Sequence, residues 1–223
     1  MLTKGSKMFL AILVTILIVV GGIYYYSNAY SIKPETPVAD ELFGWKYPVV
    51  ELPSTGSKVR ASSEISDIRN TSGMPQGLPT RLKIPVIGVD STIEDAYITA
   101  DGRMDVPDGS KNVAWFALGP HPGQKGSAVI GGHFGIKNGV PFVFYRLDEL
   151  KVNDKIYIEN DKGKTIAFVV RVIKLLDRKA DATEVFTSDD GLAHLNLVTC
   201  EGVWNRSNNT YPERRVIFTE AVP

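Results

Sequence analysis

The chain has 223 residues with 25 basic and 25 acidic side chains, a formal net charge of zero, which leaves no basic surface for binding nucleic acid through counterion release. A composition 43 % hydrophobic and 9 % aromatic suffices for a packed core and excludes wholesale disorder. One cysteine excludes an intrachain disulfide and a thiolate zinc cluster, and the histidines 121, 133 and 194 lack metal-ligand spacing, so no metal site and no cofactor are expected.

Residues 1–7 form a short tail carrying Lys4 and Lys7, followed by the uncharged run 8–26, MFLAILVTILIVVGGIYYY. As a helix that run is about 28 Å long, close to the ~30 Å hydrocarbon core. The lysines before it keep the N-terminus cytoplasmic, and Tyr24, Tyr25 and Tyr26 suit the outer interface. Ser27-Asn28-Ala29 would also serve as a cleavage site. Both readings place the remainder outside the cytoplasm. The reading taken is a retained single-pass membrane anchor with the bulk of the chain extracytoplasmic.

Residues 27–80 are punctuated by Pro34, Pro37, Pro48, Pro53, Pro75 and Pro79 with Ser and Thr between. This composition predicts a semi-extended tether.

From residue 81 to 223 the texture is one of short apolar runs separated by turn residues. Strands are expected at 82–86, 93–98, 113–116, 128–132, 155–158, 165–176, 195–200 and 214–219. Turn signals at Asp101-Gly102, Gly119-Pro120, Pro122-Gly123, Asn138-Gly139 and Asp161-Lys162-Gly163 separate them. Thr165 to Val172 alternates as a half-buried strand should. Eight strands in about 140 residues predict a mainly β domain, a closed or nearly closed barrel with short helices. Residues 188–195 are left as a short helix or turn.

Cys200 ends the apolar run 195–200 just before Glu201-Gly202. A strand end opening into a loop presents a side chain at a sheet rim, where reactive groups commonly sit. A free cysteine also serves as a small buried hydrophobe, and spacing alone leaves both readings open. A cysteine nucleophile needs a base or cation to raise its thiolate fraction. His133 ends another apolar run, 129–132, in a glycine-flanked loop, whereas His121 lies in a Pro-Gly turn and His194 on an expected surface turn. Arg214-Arg215 opens the last expected strand. Alternation points only one of the two along with Val216 and Phe218. Such an arginine can stabilise an oxyanion or fix a substrate carbonyl, and a surface pair flanking an edge strand is the competing reading.

These residues together resemble the sortases, membrane-anchored cysteine transpeptidases of Gram-positive-type cell surfaces. Leu197-Val198-Thr199-Cys200 matches the family's TLxTC motif, Gly132-His133 its histidine loop, and Arg214 its arginine before the final strand. Further matches are 82–89 (LKIPVIGV), 101–107 (DGRMDVP) and 147–154 (LDELKVND). The chain departs from the family at Val198 and at Asn153, where glycine is common. The Gly119-Pro120-His121-Pro122-Gly123 segment is most similar to class E and class F members. The resemblance implies an eight-stranded sortase-type barrel in which Cys200 is the nucleophile and His133 the general acid and base. Arg214 would position substrate or stabilise the oxyanion, with Arg215 in that role if the register is off by one, and Thr199 is read as a substrate contact. The implied partners are surface proteins bearing an LPxTG-like sorting signal, cut between Thr and Gly, and an amine acceptor from a cell-wall precursor or a pilin lysine. A hydrolytic cysteine peptidase and a non-catalytic β domain that binds wall or protein ligands are the alternatives.

Leu52-Pro53-Ser54-Thr55-Gly56 is itself an LPxTG match within the tether. It is expected either to occupy the substrate groove as a pseudo-substrate, or be cut by a neighbouring molecule, or to be an incidental match in a flexible segment. The apolar stretch and basic tail that follow true sorting signals are absent after Gly56.

Overall fold

The computed structural model describes Trp45 and residues 77–222. The expected tail 1–7, the expected anchor 8–26 and the LPxTG match 52–56 lie outside the described residues. Among the described residues no helix is long and apolar enough to cross a membrane.

Ten strands and one short helix follow in order: β1 (Pro79–Ile84), β2 (Val89–Ala96), β3 (Val113–Phe116), β4 (Gly126–Gly132), β5 (Ile136–Lys137), β6 (Val140–Pro141), β7 (Lys155–Asn160), β8 (Thr165–Asp177), α1 (Thr183–Phe186), β9 (Ala193–Glu201) and β10 (Glu213–Ala221). Eight of them close a barrel in the order β1-β2-β3-β4-β9-β10-β8-β7. This is the mainly β barrel expected from the sequence, and each expected strand is present with ends moved by a few residues. Pairing is antiparallel except for β2–β3 and β4–β9, which run parallel. The last strand, β10, therefore sits between β9 and β8.

Alternation sorts the strand residues into two apolar groups. Leu82, Ile130, Phe168, Leu195, Leu197 and Ile217 belong to the group that fills the barrel. Val129, Val198 and Val216 point to the outer wall of β4, β9 and β10, where Phe116, Val185 and Phe186 join them in a second cluster. β9 is consequently buried on both faces from Leu195 to Cys200, which is why it reads as a continuous apolar run rather than an alternating one.

Two local features sharpen the sequence reading. Asn138-Gly139 is the turn of a small hairpin, β5–β6, and both residues take left-handed backbone, φ 51° and 74°, as a tight hairpin turn demands. Asn153 also adopts a left-handed φ of 79°. Asparagine tolerates that region better than other side chains, so it can stand where relatives commonly carry glycine. Residues 188–195, left open as helix or turn, divide between a loop and the start of β9, and the helix lies earlier, at α1.

Candidate active site

β4 and β9 pair in parallel, with Gly131 opposite Val198 as the last paired couple. His133 and Cys200 each lie two residues beyond it, so they occupy the same level on neighbouring strand ends. On the other side of β9, Arg214 of β10 is the direct partner of Cys200. Three residues well separated in sequence thus stand level across β4, β9 and β10. Val198 and Val216 share their face, which is the outer wall. Arg214 is therefore the arginine on the thiol's side. Arg215 pairs with Thr199 and points to the opposite face. Its Nε donates to Glu201 Oε2 at 2.9 Å.

The thiol is not exposed at the rim, as the strand-end position led one to expect. Cys200 is 1 % exposed and packs in the outer apolar cluster with Phe134, Val185, Phe186 and Tyr211. From the tether, Trp45 joins that cluster, and its Nε1 donates to the Asp177 carbonyl at 3.2 Å. The cover comes from segments remote in sequence, which spacing could not reveal. Its chemical consequence is direct: burial pushes the thiol from 9.0 up to about 11, partly opposed by the Arg214 charge and reinforced by that of Glu201. At neutral pH the resting side chain is a neutral thiol.

Arg214 is fully buried. A buried guanidinium is costly unless it is hydrogen-bonded, and Nη1 donates to the carbonyls of Tyr211 at 3.0 Å and Glu213 at 2.8 Å. These bonds hold the side chain against the β9–β10 connection beside the thiol.

His133 is 5 % exposed. Its Nε2 lies 3.1 Å from the Pro107 carbonyl. A carbonyl oxygen only accepts, so the ring hydrogen sits on Nε2 and Nδ1 is the basic nitrogen of the neutral imidazole. The β5–β6 hairpin folds the chain back over this residue, with Phe144 N donating to the His133 carbonyl at 3.0 Å and the Phe142 ring packed edge-on at 5.9 Å. Just before it, Gly132 leaves room for the Phe144 ring, since a Cβ there would approach the ring carbon to 2.4 Å.

Thr199, read from the sequence as a substrate contact, faces away from the thiol. It is fully buried and its hydroxyl donates to the Gly132 carbonyl at 2.7 Å. That bond ties the cysteine strand to the histidine strand one residue before each reactive group. The remaining histidines take other positions. His121 rests against Trp115 with ring centroids 4.7 Å apart, and its turn is closed by Gln124. His194 lies in β9, not on a surface turn, and links Asp190 to the Thr219 carbonyl.

Along the outer wall from Cys200, past Val198 and Val216, a cavity of about 350 Å³ opens beside α1, lined largely by charged and polar side chains, among them Arg171, Lys174, Glu184 and Asp190, with Leu192 and Phe218. The strand rise of ~3.3 Å per residue puts Asn196 about 13 Å from Cys200 along β9.

The family model for the sortase domain matches residues 82–222. No curated protein matches the sequence. Among solved structures, sortase C-1 of Streptococcus pneumoniae is 23 % identical, covering 65 % of this chain and 66 % of that one, with a TM-score of 0.51. Sortase C1 of Streptococcus agalactiae is 23 % identical over 65 % of this chain and 67 % of its own, with a TM-score of 0.50. A Clostridium perfringens sortase D5 transpeptidase is 22 % identical over 73 % of this chain and 91 % of that one, with a TM-score of 0.49. The chain spans about two thirds of the length of the two streptococcal structures, which share its fold. With the family model covering the whole barrel, the chain belongs to the sortase family of cysteine transpeptidases.

Proposed function

We propose that this protein cleaves an LPxTG-like sorting signal between Thr and Gly and transfers the acyl group from Cys200 to an amine, supplied by a cell-wall precursor or a pilin lysine. The observation that carries the reading is that Cys200 and Arg214 are direct strand partners while His133 directly follows β4, the other neighbour of β9, two residues past its last pair as Cys200 is. The Cys200 sulfur, losing its proton to His133, adds to the threonine carbonyl. The oxyanion that forms lies on the face that Arg214 shares, where a buried guanidinium stabilises charge strongly. His133 returns the proton to the departing glycine amine, leaving a thioester. An incoming amine then attacks that thioester, gives up its proton to His133 and releases the thiol. In an extended signal the leucine lies three residues from the acyl threonine, about 10 Å away, a reach that falls between Val198 and Asn196.

The charge-free run 8–26 supports a single membrane anchor holding this site outside the cytoplasm, and the Gly119–Gly123 segment supports class E or F membership. Incubation with LPxTG-type peptides, with and without an amine such as triglycine, tests the reaction by product mass. An amine-ligated product that disappears in Cys200→Ala is expected. Release of the free acid alone at saturating amine would make the protein a hydrolase, and an unmodified Cys200 after incubation with every peptide would overturn the reading.

The LPxTG match at 52–56 is proposed to act on the same groove as a pseudo-substrate. Deleting 50–58 should raise turnover of added peptide. Intact Thr55–Gly56 together with unchanged turnover after the deletion removes that idea.

A further inference from the structure

The reaction above leaves unused a charge arrangement lying directly behind the reactive pair. Glu201 and Glu213 face each other across β9–β10, one residue after Cys200 and one residue before Arg214. Like charges placed directly opposite repel. Arg215 stands diagonally across from Glu201, being the partner of Thr199, and its Nε meets Glu201 Oε2 at 2.9 Å. The two side chains are 18 % and 17 % exposed, so water screens their charges far less than it would a surface pair. Alternation puts all three on the face opposite Cys200. They reach the thiol through space and not by contact.

We propose that the Glu201–Arg215 ion pair is an electrostatic screen, which neutralises a carboxylate adjoining the nucleophile and leaves Arg214 as the charge that governs Cys200. Arg215 is thus a positioning residue acting through Glu201. The proposal rests on Cys200 as the nucleophile. An unscreened Glu201 opposes formation of the thiolate, the direction in which its charge acts on Cys200. Asp177, the β8 partner of Glu213, and Tyr145, packed against the thiol's cluster, also lie near. Arg214 faces it, His133 stands level with it on β4, Tyr211 shares its cluster, and Glu213 lies beyond Glu201. On α1, Glu184 is engaged by Lys174 at 2.6 Å, and Asp105 and Asp108, flanking Pro107, are exposed.

The experiment is a pH titration of the thiolate's ultraviolet absorbance in the full chain, with Cys200→Ser as blank. Cys200 is the one cysteine in the sequence, so the signal has a single source. Arg215→Met should move the midpoint to higher pH and Glu201→Gln to lower pH. Adding Arg215→Met to Glu201→Gln should produce no further movement. At neutral pH, Arg215→Met should lower kcat several-fold with little change in KM, and Arg215→Lys should restore it. Superimposed titrations of wild type and Arg215→Met overturn the proposal, as does a shift that persists in the Glu201→Gln background. If Arg215→Met does not fold, Glu201→Gln alone decides, and an unmoved midpoint sinks the screen. A protein that titrates as expected yet transfers no acyl group refutes the proposed function while leaving the screen standing.

Discussion

Cys200 and Arg214 are direct partners in the antiparallel β9–β10 pair, so the spacing between thiol and guanidinium is set by a strand register and not by a loop. A one-residue slip would turn Arg214 to the other face and bring Arg215 opposite the thiol. Of the two arginines in the doublet, this register puts Arg214 on the side of the thiol.

Arg214→Lys is therefore expected to lower kcat about 10²–10³-fold, the range for losing an oxyanion donor. Lysine keeps the charge but has no planar guanidinium to place a nitrogen where Nη1 donates to both the Tyr211 and Glu213 carbonyls. The same variant should lose about 1–3 kcal/mol of stability, because those buried carbonyls lose their donor. Steady-state kinetics and a denaturant titration measure the two effects. A variant with unchanged kcat would exclude Arg214 from the chemistry.

Thr199→Val removes the hydroxyl that binds the Gly132 carbonyl while nearly preserving shape. The expected result is a loss of about 1–3 kcal/mol and at least a tenfold lower kcat, since the His133 strand end is no longer tied to the Cys200 strand. Thr199→Ser, which keeps the donor, should recover most of the activity. If Thr199→Val raises KM and spares kcat, Thr199 contacts substrate after all.

The pH dependence of stability has a defined sign. Burial raises Cys200 from 9.0 to about 11, so between those values the folded chain holds a proton that the unfolded chain has released. The stabilisation is complete below about pH 9 and is lost as pH rises through 11. Its size is on the order of 2–3 kcal/mol. Denaturant titrations at stepwise pH should show wild type falling toward Cys200→Ala across this window. Parallel curves for the two proteins would mean that the thiol is not buried in solution.

Most of the architecture could be read from the residues. Thr165 to Val172 alternates cleanly, and Leu195 to Cys200 is apolar throughout, so each announces a strand of the appropriate kind. Turn chemistry separated the strands, and Asn138-Gly139 marked a hairpin whose flanking strands are only two residues each and too short to show a period. His133 and Cys200 were legible as candidate site residues at strand ends, but their placement at the same end of the barrel was not. It depends on β4 and β9 pairing in parallel, which no local pattern encodes. Burial of the thiol was equally hidden, because the cluster that contains it draws Trp45, Val185 and Tyr211 from segments distant in sequence. Thr199 looked like a neighbour of the substrate because it adjoins Cys200, although in a strand adjacent residues point opposite ways.

The strand that carries Arg214 wedges between β9 and β8, both of which precede it in the sequence, and seals the cylinder. Until it inserts, the cysteine edge of β9 lacks its hydrogen-bonded neighbour and the thiol lacks the guanidinium beside it. Ring closure and burial of the thiol are then one event, dominated by long-range contacts that form slowly. A nascent or misassembled chain would carry a thiol that still titrates at its ordinary 9.0 instead of about 11, so the proton affinity of this one sulfur reports that folding is complete.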